Sequence, residues 1–254
     1  MIRTSPTPRL SIVIATWNAA RTLERCLSSI EGQIFTDWEL LIADGGSADG
    51  TVDLITKHER IVTWWQSSND AGIYDAWNQA LAHATGEYVC FLGADDAWAN
   101  EAALAKLFAA IGSGRYDLVT SRGRLTDPSG GKATVFGSAW NFRRLGRRMV
   151  VSHPGLLHQR SLFETYGLFD THYRIAGDLE FLLRLPDTLA TLDVDAITVE
   201  IEAAGISRKN VLGRLREQRV VLSRCARYGP IRAYLVWLDK LWRYPVARMF
   251  GISH

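Results

Sequence analysis

Acidic residues that directly follow apolar runs are the clearest chemical signal in this chain. Asp95 and Asp96 come after the run EYVCFLGA at 87–94, and adjacent carboxylates repel one another unless a cation or strong donors offset the charge. A hard divalent ion, Mn²⁺ or Mg²⁺, binds carboxylate oxygen and retains positions for phosphate oxygens, which ties the pair to a nucleotide diphosphate. The plainer alternative has one carboxylate capping a helix over 97–107 and the other solvated. Asp44 closes the run WELLIA and opens the loop DGGSADGT at 44–51. Its glycines allow tight turns and Asp44 is placed to accept from a ligand N–H, whereas Asp49 and Thr51 read as caps of the next helix. A third acidic site lies in AGDLEFLLRL at 176–185. If a helix begins near Asp178, Glu180 points to a different face, so the two carboxylates need not act together. For Asp178, helix capping and general-base duty are compatible.

The apolar periodicity predicts the elements that hold these residues. Strands are expected over 10–16, 38–43, 61–65 and 87–92, alternating with helices over 20–33, 51–58 and 73–84. That alternation is a doubly wound α/β sheet with right-handed crossovers, and it puts the polar loops at the carboxyl edge where such sheets bind ligands. The second half is less regular. A helix over 102–111, a strand over 116–120, a hairpin over 122–137 turning at 127–131, helices within 156–185 and a strand over 192–201 are expected. Two helices, 211–228 and 231–244, follow, split by Gly229-Pro230 and with the second ended or kinked by Pro245. The expected division is a domain over 1–204, with halves 1–98 and 99–204, and an extension over 205–254.

Of the 254 residues 47% are hydrophobic and 22% charged, which excludes disorder as the dominant state. Three widely separated cysteines, Cys26, Cys90 and Cys225, argue against a disulfide framework or a structural zinc and favour a reducing compartment, the cytoplasm. The N-terminus lacks the pattern of a signal peptide, and no stretch approaches a membrane span. The net charge of +2 divides into −7 over 1–204 and +9 over 205–254, a contrast that suggests an anionic surface or ligand. Within 231–244, Ile231, Tyr234, Leu235, Leu238, Leu241 and Trp242 form an apolar stripe beside Arg232, Lys240 and Arg243. Such a helix suits peripheral contact with an anionic membrane, and packing on the domain is the alternative. Nucleic acid is disfavoured, because no base-reading or phosphodiester-reading fold accompanies the charge.

Four ordered segments, LSIVIATWN, DGGSADGT, SSNDAGIYDAWNQALAHATGEYVCFLGADD and HPGLLHQRSLFETYGLFDTHYRIAGDLEFLLRL, span 10–185 and together resemble the inverting family 2 glycosyltransferases, in their bacterial polysaccharide-biosynthesis branch. The resemblance implies a GT-A fold, with a Rossmann-like, mostly parallel sheet flanked by helices. It also implies hexosyl transfer with inversion from a nucleotide sugar, a UDP-sugar foremost, to a saccharide or lipid-linked acceptor. By that resemblance Thr16, Asn18 and Asp44 hold the nucleotide base, and Gly72, Asp75 and Asn78 approach the ribose and phosphates. Gly93-Ala94-Asp95 stands where the family has its D-x-D element, so the first acid is missing and Asp95 is the expected metal contact with Asp96 beside it. Asp178 matches the general base, His153 lies on the acceptor side with Glu180, and Arg208 and Lys209 match the segment that closes over the donor phosphates. Direct displacement needs no enzyme nucleophile, which leaves Cys90 and Ser47 as core and loop residues. A nucleotidyltransferase would carry a glycine-rich basic loop in place of Thr16-Trp17-Asn18-Ala19, and a dinucleotide oxidoreductase a G-x-G-x-x-G there. A non-catalytic nucleotide-sugar or membrane-binding module draws support only from Gly93.

Overall fold

The computed structural model describes residues 7–126, 133–202 and 210–249. Its centre is β1 (Leu10–Thr16), hydrogen-bonded in parallel to β2 (Trp38–Asp44) on one side and β4 (Tyr88–Gly93) on the other. β3 (Trp64–Ser67) adds in parallel to β2. Leu10, Ile12 and Ile14 face one core with Tyr88, Cys90 and Leu92, while Val13 faces the other with Val89 and Phe91. The period-two alternation is hidden in the sequence because both faces are buried. Helix α1 (Ala20–Glu31) covers the first face with Leu23, Cys26, Leu27 and Ile30. α2 (Thr51–Lys57) follows β2, and α3 (Ile73–Leu81) covers the second face with Tyr74, Trp77 and Ala80.

Beyond β4 the sheet continues through the second half. β5 (Ala97–Trp98) and α4 (Ala103–Ile111) lead into the long β6 (Leu118–Thr126). The strand order is β3-β2-β1-β4-β8-β6-β9-β5, with β8 (Leu157–Gln159) antiparallel to both β4 and β6. β9 (Thr191–Glu202) runs parallel to β6, and β7 (Thr134–Phe136) pairs antiparallel with β6, the two arms of the expected hairpin. The expected turn at 127–131 lies outside the described residues. Halves 1–98 and 99–204 therefore share one continuous sheet among the described residues. One expectation shifts: residues 59–61 form a 3₁₀ turn, and the strand expected over 61–65 starts only at Trp64.

The remaining helices are α5 (Phe142–Leu145), α6 (Ser161–Tyr166), α7 (Gly177–Arg184), α8 (Val211–Arg224) and α9 (Gly229–Met249). Pro245 does not end α9. Val221, Leu222 and Ala233 join the same core as Phe142, Tyr173 and Phe181, so the basic extension packs on the body through one face.

Candidate active site at the carboxyl edge of the sheet

In register, Thr16 lies opposite Asp44, Asp44 opposite Ser67, and Ala15 opposite Gly93, which brings the loops after four strands to one edge. Asp44 is the knot of this edge. Oδ1 accepts from Thr16 Oγ1 at 2.8 Å and Ser47 Oγ at 2.5 Å, and Oδ2 accepts from Ser67 Oγ at 2.6 Å and from the amides of Gly46 and Ser47 at 3.1 and 2.8 Å. Burial would raise its pKa, but the Ser47 and Ser67 donors outweigh it and hold the carboxyl below its ordinary value. Five protein donors thus surround Asp44, which is 2% exposed. In this arrangement Asp44 organises the loop that follows β2, with Thr16, itself buried, as one of its partners. Asn18 sits at φ 48°, and its Oδ1 accepts from Ala48 N at 3.0 Å. Asp49 and Thr51 bond the amides of Ala20 and Ala19, so they also seat the start of α1.

At the end of β4, Asp96 is 4% exposed and its Oδ2 accepts from Gly93 N at 2.7 Å. Burial, then the neighbouring Asp95, push its pKa up to about 8. Through Oδ2 Asp96 closes the turn that follows β4, beside Asp95, the expected metal contact. A Cβ at Gly93 would stand 2.7 Å from Asp95 Oδ1 and 2.9 Å from Asp96 Oδ2, so this packing of the two acids needs glycine there. Asp95 remains half-buried with its pKa raised, chiefly by burial and also by Glu202. Arg25 bonds its backbone carbonyl, while Glu202 pairs with Arg21 at 2.7 Å and Arg25 at 3.8 Å.

Asp178 lies in the first turn of α7, partly buried, with Oδ1 accepting from Leu179 N at 2.7 Å and from Tyr74 Oη at 3.3 Å. Burial raises its pKa to about 6 against the opposing donors Leu179 N and Tyr74. Gly177 allows this approach, since a Cβ there would meet the Tyr74 ring at 2.8 Å. The start of α3 thereby meets the start of α7.

Residues 11–160 match the model of the family described as Glycosyl transferase family 2. The chain belongs to that family. A relative from Mycobacterium bovis, the PGL/p-HBAD biosynthesis glycosyltransferase, is 35% identical over 185 residues, 70% of this chain and 69% of its own. An uncharacterized glycosyltransferase of Mycobacterium tuberculosis is 29% identical over 227 residues, covering 88% and 84%. Among solved structures, S. aureus TarS 1–349 in complex with UDP-GlcNAc superposes with a TM-score of 0.68 at 18% identity over 93% of this chain and 72% of that one. The mannosyltransferase PcManGT from Pyrobaculum calidifontis, in complex with GDP-Man and Mn²⁺, gives 0.67 at 19% identity over 96% and 74%. The fold is GT-A.

Within this family 2 domain several expected site residues have structural duties instead. Asn78 donates to Phe169 O at 2.8 Å and accepts from Phe169 N at 3.0 Å, so both ends of its amide clamp a loop. Asp75 Oδ2 accepts from Ala71 N and Gln79 Nε2, fixing the turn that enters α3. His153 is 5% exposed, stacked on Trp77 at 5.5 Å and Phe91 at 5.8 Å, and burial drives its pKa down to about 4. Its ring packs in the aromatic core, and its Nε2 is buried without a hydrogen-bond partner among the described residues. Glu180 pairs with Arg184 at 3.1 Å one turn on. Ala94 packs against the core beside β4. Arg208 and Lys209 lie outside the described residues.

Three site residues escaped the sequence reading. Trp17 is 72% exposed at the mouth of the edge, close to Gly45. Gly72, at φ +115°, leaves room for the Arg174 guanidinium, which lies 2.5 Å from where a Cβ would stand, and Arg174 has no ion pair among the described residues. Glu217 on α8 accepts from the amides of Arg174, Ile175 and Ala176, the last two at 2.8 and 2.9 Å. The apolar spacing of 70–78 offered a signal for none of the partners on 174–178, because these contacts join segments about a hundred residues apart.

Among the described residues no three His, Cys, Asp or Glu side chains converge on one point. Asp95 nevertheless fits a divalent cation. Its carboxyl is half-buried beside Asp96 and Glu202 and makes no ion pair among the described residues, so an ion held by Asp95 and donor phosphate oxygens would relieve that charge.

Proposed function

We propose that this family 2 enzyme transfers a sugar from a nucleotide sugar, with UDP as the favoured nucleotide, to a hydroxyl of a saccharide or lipid-linked saccharide, with inversion. The observation that carries the reading is Asp178: a carboxyl lifted to about 6 with one oxygen uncommitted, at the junction of α3 and α7. A group of that pKa is ionised at neutral pH yet basic enough to take a proton as an acceptor oxygen attacks. In one displacement the acceptor O–H proton passes to Asp178, its oxygen bonds the anomeric carbon, and the bond to the nucleoside diphosphate breaks on the opposite face. Trp17 offers an exposed ring for the base, and Arg174 above Gly72 offers a charge for the diphosphate. A Mn²⁺ or Mg²⁺ ion at Asp95, when bound, would neutralise charge on the departing diphosphate.

The donor choice draws support from the nucleotide sugars named with TarS and PcManGT, which leave UDP and GDP as the pair to separate. A cytoplasmic location belongs to the same proposal and rests on the three free cysteines. Among the described residues no helix is long and apolar enough to cross a membrane. Calorimetric titration with UDP, GDP and dTDP, each with Mn²⁺ and with EDTA, tests the donor half. Binding of UDP that requires Mn²⁺ and weakens in Asp95→Ala is expected; absence of binding by all three would overturn the reading.

A further inference from the structure

The basic extension, read from sequence only as an amphipathic helix, is divided by the fold into two different surfaces. Ala233 and Val236 of α9 pack inward, and Lys240 Nζ donates to Gln218 Oε1 at 2.7 Å, its pKa lowered by burial to about 8. Lys240 is therefore part of the packing and not of a solvated basic face. On the outer side Ile231, Tyr234, Leu235, Leu238 and Trp242 are all exposed, Ile231 and Trp242 by 79% and 78%. Their spacing of three, four, seven and eleven residues places them on one stripe. A contiguous apolar stripe left open on a folded body marks an interaction surface.

Beside that stripe lies a cavity of about 680 Å³ lined by Tyr173, Arg216, Arg219, Arg224, Tyr234 and Trp237, within the size range of small-ligand sites, about 300–1,000 Å³. Its cations are available. Arg216 has no hydrogen bond or ion pair among the described residues, Arg219 lies 5.4 Å over the Trp237 ring, and Arg224 donates to Tyr173 Oη at 3.3 Å. Glu217, the cavity's carboxylate, is consumed by the backbone amides of 174–176. Those amides run directly into α7, so the cavity wall and Asp178 share one segment. Tyr234 belongs to both surfaces, lining the cavity and standing on the stripe. Guanidinium groups suit phosphate oxygens, and a basic site bordered by exposed Trp, Tyr, Leu and Ile suits the interfacial layer of an anionic bilayer.

We propose that this cavity is the site for a lipid with a net-anionic phosphate headgroup: Arg216, Arg219 and Arg224 take its phosphate while Ile231, Leu235, Leu238 and Trp242 rest in the interface. The lipid's role as the carried acceptor rests on the transferase reading above. The occupant is a lipid and not a free anion because the cation cluster opens beside the apolar stripe, and a soluble phosphate would leave that stripe without a function.

Co-sedimentation of the full chain with phosphatidylcholine vesicles, and with vesicles that also contain phosphatidylglycerol, tests this, alongside calorimetry with inorganic diphosphate. Binding to the phosphatidylglycerol vesicles at least about tenfold stronger than to the neutral ones is expected. The pair Arg216→Ala/Arg219→Ala and the pair Leu235→Ser/Leu238→Ser should each lose most of that binding, with unchanged thermal unfolding and unchanged UDP binding. The proposal is overturned by equal partition into both vesicles, by no partition, by variants that bind like the parent, or by capture of inorganic diphosphate without vesicle binding. Nucleotide binding separates the two readings: UDP bound without vesicle binding sinks only the lipid site. Vesicle binding without any nucleotide bound sinks the transferase reading and leaves the lipid site standing.

Discussion

Asp178 does its proposed work only when ionised, and burial raises its pKa to about 6. Turnover should accordingly fall as pH drops through that value and be flat above it until another group intervenes. Tyr74 donates to the same carboxylate, which favours the charged form. Tyr74→Phe should move the acid limb upward by at most about one pH unit, taking a net hydrogen bond as about 0.5–1.5 kcal/mol. Asp178→Asn should cut turnover about 10²–10⁴-fold with nucleotide binding retained, and a pH–rate profile of the three proteins checks both statements. Loss of UDP binding in Asp178→Asn would mean that the residue holds the loop and does not act as base. Asp44, Asn78 and His153 show the opposite case. Each has the residue type of a ligand contact, but its polar atoms or its ring are already engaged by protein.

At the scale of elements, the first turn of α7 is held from outside by Glu217 of α8. Its carboxylate accepts from the three consecutive amides of 174–176 that lead into the helix, fixing the entry to α7 from a neighbouring element. Glu217→Gln removes the charge and weakens those bonds. It should cost about 1–3 kcal/mol of stability and lower turnover through a displaced Asp178, read as a shifted denaturant midpoint together with a reduced kcat at unchanged nucleotide affinity. A reduced kcat with an unshifted midpoint would argue for direct contact with substrate. The sequence made the strands and helices of 10–93 legible because each carries its own apolar period. It left α7's support illegible because nothing in the local pattern of α8 directs the half-buried Glu217 at residues 174–176, some forty residues earlier in the chain.

Across the whole molecule, the acidic body and the basic extension form one core. Val221, Leu222 and Ala233 belong to the cluster that contains Phe142, Tyr173 and Phe181, and Tyr228 Oη accepts from Gly146 N at 3.1 Å. A chain ending at residue 204 should therefore lose cooperative unfolding, and not merely a membrane contact, as judged by calorimetric melting and solubility beside the full chain. A truncated protein that melts sharply at the parent temperature would show 1–204 to be an independent domain. The open stripe on α9 and the guanidinium groups of α8 are the surfaces left after that core is made, which is why their chemistry is read from what remains exposed.

The sequence by itself determined the parallel βαβ half, the placement of Asp44, Asp95 and Asp178 at strand and helix ends, and the charge division of the chain, because these depend on local period and composition. Tertiary structure alone decided which of those polar residues are free. Asp178 keeps one oxygen available, whereas Asp44 and Asn78 spend theirs largely on donors and acceptors from distant segments, and Asp96 gives one oxygen to the amide of Gly93 in its own turn. Hydrogen-bond capacity is finite, and which donors consume it depends on neighbours that sequence spacing does not specify.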